Sequence, residues 1–138
     1  MNWTLEVVCV PVADVDRAKA FYADKLGFNV DHDTRIDDAN RVVQLTPPGS
    51  GCSVVIGKGA VPDMRPGSLQ GLQLVVADLR AAHAQLVARG VEVTEALVYG
   101  QEGLRPARDG DALDNVGFCF FSDPDGNGWA VQQISARG

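Results

Sequence analysis

The chain has 138 residues, 46% of them hydrophobic, and a formal net charge of −6. This length and apolar content suit one domain or two packed half-domains, and the spread of acidic residues disfavours nucleic acid and an anionic membrane surface as partners. No apolar run nears the roughly 20 residues of a membrane span. The first residues carry no basic stretch ahead of an apolar one, and the three cysteines form no CxxC pair. A secretory signal is therefore not expected, and reduced thiols in a cytoplasmic location are.

An apolar run ending at Val12 predicts a first strand. Val8, Val10 and Val12 form its apolar row, which leaves Val7, Cys9 and Pro11 on the other face. Asp14 then suits a helix N-cap, with Val15, Ala18, Tyr22 and Leu26 at helical spacing and Gly27 as the stop. Phe28–Val30 reads as a short strand. His32, between Asp31 and Asp33, reads as part of a solvated turn. Strands are predicted at about Arg41–Leu45 and Ser53–Ile56, joined by Pro47–Gly51. Arg41 opens the first of these, where it either meets an anionic group or rests at a solvated strand end.

A near-repeat follows the Pro/Gly-rich stretch after Ile56. Val12-Ala13-Asp14-Val15-Asp16-Arg17-Ala18 returns as Val76-Ala77-Asp78-Leu79-Arg80-Ala81-Ala82. Asp78 is the second N-cap, Leu79, Ala82 and Leu86 mark the helix, Gly90 ends it, and Val91–Val93 reads as a strand. His83 falls mid-helix, a surface or helix-side position. Residues 96–115 are polar and hold three glycines, which predicts a long loop. Tyr99 and Arg105 reach a ligand from it, and Glu102 or Asp109 is its candidate acid. Val116–Phe121 and Trp129–Ile134 are the closing strands, with Trp129 in the core. Asp123, Asp125 and Asn127 alternate as in a calcium loop, but the twelfth position is Ile134 rather than glutamate, so a hairpin turn is expected. Each half thus reads β-α-β-β-β, with boundaries at 1–58 and 71–138 around a linker of 59–70.

Alternation also sorts the polar strand residues. Gln44 lies opposite Val43 and Leu45, Gln73 opposite Leu72, Leu74 and Val76, and Ala130 with Gln132 opposite Trp129 and Val131. Three glutamines therefore face inward, where they orient a ligand or satisfy one another and bound water. Cys9 and Cys52 are expected on the same wall. Cys52 has no histidine evidently poised to activate it as a nucleophile.

Four signatures, in this order and spacing, resemble the vicinal oxygen chelate superfamily of glyoxalases, bleomycin-resistance proteins and extradiol dioxygenases. They are Val10–Asp14 leading to Ala20–Tyr22 and Leu26–Phe28, Gln44–Ser50, Leu74–Asp78 leading to Leu86–Val91, and Phe121–Trp129. The resemblance implies an α+β fold of two βαβββ modules. These would form an open, barrel-like pair of curved mixed sheets with helices outside and a small-molecule cavity within, in a homodimer. It also places the metal ligands of related enzymes at Val7, Gly71, Ala130 and about Val54. None of these side chains can coordinate an ion, so no metal and no other cofactor is expected. The expected ligand-binding residues are Val7, Cys9, Arg41, Gln44, Cys52, Val54, Gln73, Tyr99, Ala130 and Gln132.

The resulting functional reading is a metal-free binding protein for an aromatic or polar organic metabolite or drug. The alternative is an enzyme of the same fold acting on a small metabolite. It would be an isomerase, cyclase, hydrolase or lyase, either metal-free or with its ligands shifted by two residues to include Gln73 and Gln132. No phosphate-cradling loop, nucleophile elbow or dinucleotide fingerprint is present.

Overall fold

In the computed structural model, which describes residues 1–137, the chain divides into two units. The first comprises Met1–Leu69 and Asp123–Asn127. Its strands β1 (Val7–Cys9), β2 (Asn29–Arg35), β3 (Arg41–Thr46) and β4 (Ser53–Lys58) form a mixed sheet in the order β1-β4-β3-β2, with only β1 and β4 parallel. Helix α1 (Val15–Ala20) begins where Asp14 Oδ1 accepts the backbone N–H of Arg17 at 3.1 Å. It widens into a π-helical turn at Phe21–Lys25, and Gly27, at φ 76°, lets the chain leave through the left-handed region. Val15, Ala18, Phe21 and Tyr22 are buried on this helix, which packs against β4.

The Asp123–Asn127 turn is held by this first unit. Asp123 Oδ1 accepts the backbone N–H groups of Asp125 (2.9 Å) and Asn127 (3.0 Å). Its Oδ2 accepts the Tyr22 hydroxyl (2.7 Å) and Asn127 Nδ2 (2.8 Å). Asn127 Nδ2 also donates to the Pro11 carbonyl at 2.8 Å. The carboxylate that a calcium loop would offer is thus already engaged by four protein donors, in keeping with a turn.

The second unit comprises Gln70–Ser122 and the chain from Gly128 on. It holds β5 (Leu72–Val76), α2 (Leu79–Ala88), β6 (Leu97–Gly100), β7 (Gly103–Pro106), β8 (Gly117–Ser122) and β9 (Gly128–Gln133). The sheet order is β5-β9-β8-β6-β7, with β5 and β9 parallel. Asp78 caps α2 by accepting the Ala81 N–H at 3.1 Å, and Gly90 leaves it at φ 79°. Helix α2 packs on β8 and β9, with Leu79, Val98, Cys119, Phe121, Trp129 and Val131 buried. The Trp129 ring stacks on Phe121 at 6.0 Å, as a core residue would.

The fold is α+β with two mixed sheets, as expected, but three segments differ from the sequence reading. His32 lies within β2 rather than in a turn. The ion pairs of Asp33 with Arg41 and Lys19 hold this polar stretch in the ladder. Val91–Val93 contributes a single bridge, Val93 to Phe121, instead of a strand. Residues 96–115 are not one long loop, because β6 pairs with β8 through Leu97 and Val98 and turns back as β7. Strand β6 occupies the sheet position that β2 holds in the first unit. Beyond β7 the chain is tied by Arg105 to Asp111 at 2.9 Å and by the Arg108 N–H to Asp111 at 2.7 Å.

Candidate functional site

Residues directly opposite in a ladder share a face, so register assigns each side chain to a side of its sheet. On the first sheet, Val7 pairs with Ser53, Cys9 with Val55, Val55 with Gln44, and Gln44 with His32. These residues take the face away from α1. Gln44 Oε1 can only accept, so the 3.3 Å contact assigns the proton to His32 Nε2. In the next row Thr46 donates to Asp31, and the Ser53 hydroxyl lies 2.5 Å from that of Thr46.

Two expected ligand residues lie on the opposite side. Val54 pairs with Val8 and Leu45 on the face that α1 covers, and Val55 takes the position expected of it. The one-residue difference has a physical origin. Val54, Val55, Ile56 and Gly57 are all buried, so the centre of β4 is apolar on both faces and carries no alternation from which parity could be read. Arg41 shares the Val43 and Leu45 face and is 6% exposed. It grips Asp33 through Nε (2.9 Å) and Nη2 (2.7 Å) and Asp16 through Nη1 (2.7 Å). The guanidinium, followed by Lys19, holds the Asp33 carboxyl well below the usual carboxylate range. Arg41 is therefore a structural cation, engaged on both edges. Cys52 belongs to the turn before β4, where Ser50 Oγ bonds its backbone on both sides and its thiol points to the Ser53 carbonyl at 3.7 Å.

The second sheet carries the more developed surface. Across it, Gln73 pairs with Ala130 and Ala130 with Phe120, while Val75 pairs with Gln132, Gln132 with Phe118 and Phe118 with Leu97. All lie on the face away from α2. Phe118 and Phe120 stack at 6.1 Å with their planes within 8°. Tyr99, 60% exposed, and Leu104 pair with each other and extend the same face along the β6–β7 hairpin. Two amides border the rings. Gln73 Nε2 donates to Gln132 Oε1, and Gln132 Nε2 donates to the Asn115 carbonyl at 2.8 Å. The sequence reading named Gln73, Tyr99, Ala130 and Gln132 of this group. It missed Phe118, Phe120, Val75, Leu97 and Leu104. The two phenylalanines were detectable, since Phe118 and Phe120 alternate with Cys119 and Phe121 in one run.

The donor set does not fit the metal that the resemblance implies. Val7, Gly71 and Ala130 offer no coordinating side chain, and neither Val54 nor its neighbour Val55 does. Among the described residues no three of His, Cys, Asp and Glu come together as ligands. Cys119 is buried, which pushes its thiol up to about 11 and leaves it without nucleophilic character.

Two α+β units, each a mixed sheet with one face covered by its own helix and one face that is not, define a protein built of two like modules. Residues 4–131 match the family model for the Glyoxalase/Bleomycin resistance protein/Dioxygenase superfamily, and the chain belongs to that family. Among solved structures it is similar to TnmS3, an antibiotic binding protein from Streptomyces sp. CB03234. The two are 32% identical, with 97% of this chain and 98% of that chain covered and a TM-score of 0.72. A glyoxalase/bleomycin resistance protein from the same organism is 33% identical over 94% of this chain and 100% of that one, with a TM-score of 0.69. A superfamily member from Sphaerobacter thermophilus DSM 20745 is 27% identical over 96% and 98% of the two chains, with a TM-score of 0.73. No curated protein matches the chain.

Proposed function

We propose that this protein binds a flat organic ligand without a metal and releases it unchanged. The stacked Phe118–Phe120 pair, bordered by the Gln73–Gln132 amides on the face away from α2, carries the reading. Aromatic rings supply contact area and a stacking geometry, and a few placed amides supply orientation. The similarity to an antibiotic binding protein over nearly the whole of both chains supports the same class of ligand. A cytoplasmic homodimer is part of this reading, and sedimentation equilibrium checks the dimer.

The test is titration calorimetry with a panel of polycyclic aromatic antibiotics and plain aromatic phenols, followed by mass analysis of the recovered compound. Saturable binding with the compound intact is expected. Phe118→Ala should weaken it by about ten-fold, the scale of one lost stacking partner and its area. A chemically altered product, or affinity indifferent to both Phe118→Ala and Phe120→Ala, would overturn the proposal.

A further inference from the structure

The polarity of the amide pair on the second sheet is set from the backbone outward. The Asn115 carbonyl can only accept, so Gln132 must turn Nε2 toward it, as the 2.8 Å bond records. Gln132 Oε1 then faces Gln73, which must present its own Nε2. Turning either amide over would set two oxygens, or two N–H groups, against each other. Asn115 is itself pinned, because its N–H donates to the Gln133 carbonyl at 2.8 Å and its backbone sits at φ 67°. The chain of bonds therefore ends on Gln73 Oε1, which accepts from no donor among the described residues and belongs to an exposed side chain. Ala130 stands between Gln73 and Phe120 in the sheet, and its single methyl keeps the floor between them low.

From this we infer that Gln73 selects its ligand by a donor group. A flat ring resting on Phe118 and Phe120 would present a phenolic hydroxyl or a ring N–H to Gln73 Oε1, and the O-methylated counterpart, with no donor to offer, would bind more weakly. The inference rests on the aromatic face being the ligand platform. Gln132 acts on it only as the positioning residue that keeps the Gln73 oxygen outward.

Equilibrium dialysis with 7-hydroxycoumarin and 7-methoxycoumarin, in mildly acidic buffer where the phenol is neutral, tests it. The protein should retain the hydroxyl probe about ten-fold more tightly, the scale of one well-made hydrogen bond. Gln73→Leu should bring the affinities of the two probes within about two-fold of each other. Gln132→Leu, which leaves the Gln73 side chain present but free to turn, should shrink the preference to about three-fold. Equal retention of both probes by the unaltered protein, or a preference surviving in Gln73→Leu, overturns the inference and leaves the platform standing. Retention of neither probe by the unaltered protein overturns the platform reading and this inference with it.

Discussion

Asp123 and Asn127 show how few side chains can organise a unit. Asn127 is fully buried and uses its amide three ways, donating to Pro11 and Asp123 and accepting the Leu69 N–H at 3.1 Å. Replacing it with alanine strands a backbone carbonyl, a backbone N–H and part of a carboxylate in the interior. Urea denaturation of Asn127→Ala is expected to show a loss of about 3 kcal/mol, since each stranded buried group costs about 1–3 kcal/mol and relaxation recovers some of it. Tyr22→Phe should cost less, about 1–2 kcal/mol, because it removes one charge-assisted bond and keeps the ring stacked on Phe28. If the two variants are equally stable, the interior bonds of Asn127 are not what holds this turn. The run Asp123-Pro124-Asp125-Gly126-Asn127 was legible as a turn because turn chemistry is local. Its bonds to Tyr22 and Pro11 span more than a hundred residues, a distance at which local pattern carries no signal.

At the scale of elements, one cluster fastens α1 to the β2–β3 edge: Arg41 between Asp33 and Asp16, with Lys19 on Asp33. Both carboxyls sit below their ordinary value of 3.8 in the folded protein, chiefly through hydrogen bonds from Arg41. The unfolded chain therefore takes up protons first. The stability these pairs contribute is complete above the unfolded value and is lost as pH falls from about 4 toward the lower folded values. Acid titration of the melting temperature should show that decline. Arg41→Met should start less stable, because the half-buried Asp33 loses its main partner, and should decline less steeply as the pH falls. An unchanged acid slope in Arg41→Met would remove the cluster from the account. Caps and alternation made most elements legible from sequence. Asp14, Asp78, Gly27 and Gly90 bound their helices where expected. The β6–β7 hairpin was not legible, because two four-residue strands are too short for a period of two to stand out from a polar, glycine-bearing stretch. The parity of β4 was hidden for the opposite reason, since Val54, Val55 and Ile56 are all buried and the apolar centre of the strand does not alternate.

At the scale of the molecule, the candidate site is a surface summed from distant pieces of chain: residue 73, residues 118 and 120, and residues 130 and 132. Gln44 and Gln73 could be read because each stands between apolar neighbours, and Gln132 because it shares its parity with Ala130, opposite Trp129 and Val131. The placing of the aromatic pair beside the glutamines emerges only when β8 is laid against β9 and β9 against β5 in register. The same assembly explains why a metal is not expected to matter. The positions that the family resemblance assigns to metal ligands carry hydrocarbon side chains or none, and the polar groups on the aromatic face are neutral amides, which bind hydrogen-bonding organic groups far better than divalent ions. Dialysis against EDTA should therefore leave both the melting temperature and the affinity for an aromatic ligand unchanged, and added zinc, nickel or manganese should not raise either. Ligand alone should stabilise by mass action, about 2.7 kcal/mol at a hundred-fold excess over Kd, and by the same amount with chelator present. A ligand-induced shift that disappears with EDTA and returns with one ion would mean that backbone or amide oxygens supply a site the side chains do not.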